Sequence, residues 1–125
     1  MEKMNERDQE QDQILKIITE SIFEKKGVDV KILDLRNITT IADYFVICSG
    51  ESDMQVKAIA DNVDKSLSDE GIKVWKKEGF KALSWVLIDL SDIVVHVFRN
   101  ESRQFYNLER IWGDAPVQEL KDPIG

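Results

Sequence analysis

Apolar residues recur along this chain of 125 residues in two rhythms, and each rhythm predicts a different element. Ile14, Ile17, Ile18 and Ile22 follow helical spacing, with Leu15 and Phe23 widening the stripe. Lys25-Lys26-Gly27 should close that helix, since cations suit its negative dipole end and Gly tolerates the left-handed position after it. Residues 28–35 alternate apolar with polar and then turn apolar, as a strand does. A loop over 36–42 leads into Tyr44-Phe-Val-Ile-Cys48, a run apolar on both faces. Such a run belongs in the middle of a sheet covered on both sides.

The second helix carries the clearest start signal. Ser52-Asp-Met-Gln55 is a capping-box pattern, in which the Ser hydroxyl accepts from the Gln55 amide and the Gln side chain reaches back. Val56, Ile59, Ala60, Val63 and Leu67 mark its buried stripe, and Gly71 ends it. A short strand is expected over 72–75 and a loop over 76–84. Residues 85–90 and 93–98 are two apolar runs around a short acidic turn, which predicts a β-hairpin. Alternation puts Trp85, Leu87 and Asp89 on one face of its first strand. Phe105, Leu108 and Ile111 or Trp112 then suggest a short helix packed on the sheet, and Pro116 and Pro123 lie in a weakly apolar tail. The order αββαβββα implies a single α/β (α+β) domain over 13–112, with a mixed sheet of about five strands flanked by helices. Residues 1–12 and 113–125 are expected to be mobile ends.

Composition narrows the classes of function. Hydrophobic residues make up 42% and charged residues 33%, as in ordinary globular proteins. No apolar run approaches the ~20 residues needed to span a bilayer, and the first residues lack the apolar stretch of a secretory signal. An intracellular protein without a membrane partner is expected. Cys48, the only cysteine, sits inside an apolar run and reads as a buried structural thiol. With one histidine and one cysteine there is no cluster of metal-ligand spacing, and neither metal nor cofactor is expected. Net charge is -7, and its distribution matters more than its size. Residues 1–20 hold six acidic and three basic groups, and residues 113–125 hold three and one. The rest is nearly balanced, with no basic segment to engage a phosphate backbone. A partner with a basic protein surface fits this pattern better than a nucleic acid.

Several residues invite a catalytic reading. Ser49-Gly-Glu-Ser52 joins a strand to a helix, where a phosphate could meet helix-terminal amides. A single Gly is neither a Walker loop nor a dinucleotide fingerprint, so a capping turn is the simpler account. Metal-dependent nucleotidyl transfer needs paired carboxylates, whereas Asp89 and Asp92 bracket a turn and Asp34 stands alone. His96 shares a strand face with Val94 and Phe98, which suits a packed, hydrogen-bonded imidazole. Arg99, Arg103 and Arg110 could in isolation form a phosphate site, but Glu101 and Glu109 close by favour local ion pairing or a solvated helix face. Asp43, at a strand entry, suggests a turn or backbone cap. Trp85 with Asp89 admits two readings from spacing alone. The Trp is either buried under a helix beside a solvated turn carboxylate, or it is the anchor of a contact surface.

The hairpin sequence from Trp85 to Phe98 is followed by Arg103-Gln-Phe-Tyr-Asn-Leu-Glu109. Taken with Asp43-Tyr-Phe-Val-Ile-Cys-Ser-Gly50, Gln55-Val-Lys-Ala-Ile-Ala-Asp61 and Leu108-Glu-Arg-Ile-Trp-Gly-Asp114, it resembles the ribosomal silencing factor (RsfS, or Iojap) family over roughly residues 13–115. The resemblance implies a fold similar to that of nucleotidyltransferases but no enzyme activity. It implies a translational repressor that binds the large ribosomal subunit through its fourteenth (uL-type) protein and blocks joining of the small subunit in slow growth. It further implies a homodimer when free, and contact through Trp85, Asp89, Leu90 and Asp92. Relatives in eukaryotes act in organelles, and the absence of an obvious transit peptide favours a bacterial cytoplasmic protein. Two positions depart from the family pattern: Ser91 stands where Gly is usual at the hairpin tip, and Leu90 where Tyr is frequent. The competing class is a nucleotidyltransferase-like enzyme using the turn from Ser49 to Ser52. A third reading is a dimerisation module without ribosome contact.

Overall fold

The structure, a computed structural model, describes residues 6–123; the side chain of Phe105, expected in the core of the last helix, also lies outside what is described. The first helix, α1 (Glu6–Glu24), starts well before its apolar stripe. Its polar first turns are held by one carboxylate: Arg7 Nη2 and Gln11 Nε2 each donate to Asp43 Oδ2 at 2.7 Å. Asp43 is therefore an anchor for a helix end rather than a local turn cap. The helix ends differently from expectation too. Lys26 takes the left-handed conformation, with φ 63°, and its amide donates to the Phe23 carbonyl. Gly27 is needed for another reason, because a Cβ there would run into the Ile22 side chain.

Strands β1 (Val28–Asp34) and β2 (Tyr44–Gly50) pair antiparallel, and α2 (Asp53–Asp69) follows. Its capping box forms: Ser52 Oγ accepts from the Gln55 amide at 3.1 Å, and Gln55 Oε1 accepts from the Glu51 amide at 2.7 Å. Gly71 adopts φ 70° beyond its end. Next come β3 (Lys76–Glu78), β4 (Trp85–Asp89), β5 (Ile93–Arg99), the short helices α3 (Asn100–Tyr106) and α4 (Leu108–Ile111), and β6 (Val117–Leu120). The sheet has six strands in the order β3-β4-β5-β2-β1-β6. Only β2 and β5 are parallel neighbours among them.

Two strands lie outside the expected five. The one foreseen at 72–75 forms instead at β3, while Ile72 and Val74 pack against the helix-covered core. Its residues are all charged and exposed, so no alternation marked them. The tail supplies β6, which pairs with β1 from Val30↔Leu120 to Leu33↔Val117. Three of its four residues are exposed, and it is an edge strand held by backbone hydrogen bonds. Regular structure thus extends beyond 13–112 at both ends.

Every residue of β2 is buried, as its two-sided apolar run required. Val46, Cys48, Val86, Ile88, Val95 and Val97 face α1 and α2, with Ile18, Ile22, Ile59 and Val63. Leu33, Phe45, Ile47, Val94 and Phe98 face the other way, toward Leu108 of α4 and Ala115. The result is a three-layer arrangement whose second helical layer is small. One glycine sets the distance between the loop after β3 and β4. Gly79 has φ 86°, and a Cβ on it would overlap the Trp85 carbonyl oxygen. Gly79→Ala is expected to lower stability by at least about 2 kcal/mol, from the left-handed backbone and the overlap together. A urea midpoint unchanged from the parent would contradict this packing.

Candidate functional site

The hairpin β4–β5 aligns Trp85 with Phe98, Leu87 with His96 and Asp89 with Val94. Cross-strand partners share a face, so these six side chains form one patch. Trp85 stacks on Phe98 with ring centroids 5.0 Å apart and meets Tyr106 of α3 at 4.7 Å. Its indole Nε1–H donates to Nδ1 of His96 at 3.0 Å. His96 is 3% exposed, and the Phe45 ring approaches it edge-on at 4.5 Å. Its Nε2 has no hydrogen-bond partner among the described residues. Burial pushes its pKa down to about 3, which keeps the ring neutral and the Nδ1 lone pair available. His96 is thus a packed, hydrogen-bonded residue as expected, and its partner is Trp85. The tryptophan fits neither simple reading, being half-buried and packed against the second core.

The tip is built by the Asp89 carboxylate and the Asp92 backbone. Asp89 Oδ1 accepts from the Ser91 amide at 2.7 Å, while Ser91 sits at φ 78°. That left-handed position is where glycine would be free of strain, so Ser91 costs around 1 kcal/mol. The Asp92 carbonyl accepts from the amides of Asp43 and Tyr44 at 2.7 and 3.1 Å, tying the tip to the start of β2. Its carboxylate lies 3.6 Å from the Arg7 guanidinium. Leu90 packs half-buried against the opposite core. Trp85 and Asp89 therefore share a face, as alternation foresaw, while Leu90 does not join that row. Sequence reasoning missed Tyr106 and Trp75. Tyr106 is 42% exposed beside Trp85, and Trp75 is 68% exposed with its amide donating to the Asp89 carbonyl. The run 72–75 looked like a paired strand, which hid Trp75. Helical register favoured the neighbour of Tyr106.

The turn from Ser49 to Ser52 is otherwise occupied. Ser52 caps α2, and Ser49 is buried with its Oγ accepting from Arg103 Nη1 at 2.9 Å. Arg103 also donates to the Asp29 carbonyl, and its Nε meets Glu109 at 2.9 Å. Lys31 lies 3.1 Å from the same carboxylate. Desolvation works to raise the Glu109 pKa, yet bonds from Arg103 and Lys31 prevail and lower it. Arg99 pairs with Asp53 and Glu101. The foreseen local pairing of Arg99 and Arg103 is present. An open polar cavity of about 690 Å³ lies over this network. Asp34 is held by Arg36 in a two-point contact, which lowers its pKa. Among the described residues no three His, Cys, Asp or Glu side chains are placed to hold a metal ion. No described helix is long and apolar enough to cross a membrane.

The family model described as "Ribosomal silencing factor during starvation" (RsfS) matches residues 8–124. This chain belongs to the RsfS family. It is 48% identical over 110 residues to "Ribosomal silencing factor RsfS" of Bacillus subtilis, covering 88% of this chain and 93% of that one. A crystal structure from Bacillus halodurans superposes with a TM-score of 0.78 at 39% identity, covering 87% of this chain and 99% of the other. One from Chromobacterium violaceum does so with a TM-score of 0.79 at 34% identity, covering 82% and 85%. The RsfS fold here is a single α+β domain with a six-stranded mixed sheet.

In this RsfS chain the buried imidazole has a thermodynamic signature. The native ring stays neutral down to a pKa of about 3, whereas the unfolded one titrates near its ordinary 6.5. Between those values the unfolded state binds the extra proton, so stability falls as pH falls, by up to about 1.4 kcal/mol per unit. His96→Phe removes this loss. Urea midpoints at pH 7 and pH 5 should show the parent losing about 2 kcal/mol more than the variant; equal losses would show that the native ring titrates as the unfolded one does.

Proposed function

We propose that this chain represses translation by occupying the large ribosomal subunit at its fourteenth (uL-type) protein, where its bulk stands in the way of the small subunit. Membership of a family of ribosomal silencing factors supports the ribosomal role. The observation that carries the site is Trp85, a half-buried indole held on Phe98 and Tyr106 at the open margin of the sheet. Leu87 and Asp89 continue its row, and Asp92 lies beyond the turn. Occlusion requires affinity and bulk but no turnover, which fits a site of aromatic and aliphatic surface bordered by carboxylates. Such anchors supply most of the energy of an interface, while charges set orientation and the rate of encounter. A net charge of -7 suits a basic protein surface as the partner. The setting proposed is the bacterial cytoplasm in slow growth, with a homodimer as the free form.

Co-sedimentation with purified large subunits tests the site. Trp85→Ala should weaken binding by ~2 kcal/mol, roughly thirtyfold. Asp89→Asn keeps an acceptor for the Ser91 amide while removing the charge, so it should flatten the salt dependence of binding with little change in melting. Folded Trp85→Ala that co-sediments as well as the parent would remove this face from consideration. Light scattering of the free protein at tens of micromolar, a range suited to weak dimers, should give twice the monomer mass. A monomer there would refute the dimer.

A further inference from the structure

Trp85 has ring contacts and one directional contact. Phe98 stacks on its ring, and Tyr106 packs against it at a tilt of 45°. Stacking alone tolerates either edge of an indole pointing inward, because a half-turn about χ2 keeps the plane and exchanges the edges. The bond from Nε1–H to Nδ1 of His96 at 3.0 Å breaks that degeneracy. We infer that His96 is a positioning residue, which accepts the indole N–H of Trp85 so that the ring offers only hydrocarbon to the ribosomal protein. This rests on the reading that Trp85 is the anchor.

The choice of residue at position 96 supports it. His96 is surrounded by Phe45, Trp85 and Phe98, with ring centroids between 4.5 and 6.2 Å away. Its cross-strand neighbours are Leu87 and Ile47. An apolar side chain would suit such a site, and His96 brings the one buried side-chain polar atom without a partner among the described residues, Nε2. Natural cores rarely keep such an atom without a compensating use. What histidine has that Phe or Leu lacks is the Nδ1 acceptor, and that atom meets the indole. Because Nδ1 accepts, the ring proton resides on Nε2, and the imidazole is neutral. An indole whose donor is already satisfied needs no polar partner from the ribosome. The surface it meets should accordingly be aliphatic where it touches the ring, with the donors for Asp89 set to one side.

A pair of substitutions separates positioning from packing. His96→Phe keeps a ring in the aromatic site and deletes the acceptor. His96→Asn keeps an acceptor near the place of Nδ1 and leaves a gap. Three quantities are read for each variant: the melting temperature, the hydrogen exchange of the Trp85 indole N–H by NMR, and affinity for large subunits by co-sedimentation. Positioning predicts that His96→Phe melts at or above the parent, exchanges its indole proton faster, and binds about tenfold more weakly, the worth of one oriented hydrogen bond. It predicts that His96→Asn melts lower yet keeps slow indole exchange and affinity within about threefold of the parent. A purely structural His96 predicts the reverse order, with affinity following stability, and that order would overturn the inference. Trp85→Ala is run alongside. If it binds weakly while His96→Phe binds like the parent, the anchor stands and the positioning role falls. If Trp85→Ala binds like the parent, the anchor itself falls and His96 has nothing to position.

Discussion

The parallel pairing of β2 with β5 determines most of what the rest of the chain does. Two parallel neighbours cannot be joined by a tight turn, so the chain between them must leave the sheet and return. Here it leaves through α2 and returns through β3 and β4, which places β4 outside β5 and β3 outside β4. Both central strands are almost wholly buried, and they need cover on two sides. On one side α1 and α2 provide it across the sheet. On the other side α3 and α4 are only seven and four residues long. They cover the parallel pair and reach β4 through Tyr106, which meets Trp85. Trp85 and Leu87 lie at the margin of that cover, and the open face is a consequence of where the crossover had to return.

Legibility followed the source of each element's stability. The two long helices and the four inner strands rest on burial of apolar side chains, and burial leaves a period in the sequence. The capping box of α2 was readable because Ser52 and Gln55 act within four residues of each other. What escaped was structure made by distant polar contacts. Nothing near residues 6–12 shows that Asp43 will hold them, since the partners lie 32 and 36 residues apart. Strands β3 and β6 rest on backbone hydrogen bonds at the sheet edges, for which side-chain alternation is no requirement. The αL residue after α1 was misplaced by one, because Gly27 is dictated by the approach of Ile22 rather than by its own φ.

The candidate site shows the same division. Alternation placed Trp85, Leu87 and Asp89 on one face, and the register with β5 agrees. Alternation could not say how much of the indole would be covered, since that depends on Tyr106, which arrives from a different element. The Trp85–His96 bond joins side chains eleven residues apart on adjacent strands, and only the hairpin register makes it possible. Local ion pairing was expected for Arg103, and Glu109 is its partner. The reach of Arg103 across to Asp29 and Ser49 depends on the sheet order that brings β1 beside β2.

A half-buried tryptophan is a poorer source of contact area than a fully exposed one, and its merit lies in entropy. An exposed indole must give up its rotamers on binding, at about 0.5–1.5 kcal/mol for each immobilised side chain. Trp85 has given them up on folding, through ring contacts with Phe98, Tyr106 and His96 and one hydrogen bond. The tip follows the same logic with a different balance. Asp89 folds back on the Ser91 amide and holds the turn in a left-handed conformation that serine disfavours. That carboxylate is then both the cap of the turn and the charged border of the face, so its position relative to the indole is fixed before any partner arrives. Anchor and border lie about 13 Å apart along one strand, at about 3.3 Å per residue. On the proposed reading, a spacing of that length suits a partner surface with an apolar recess and a donor at the same separation. On that reading the hairpin selects its partner chiefly through the distance between two groups that folding has already placed.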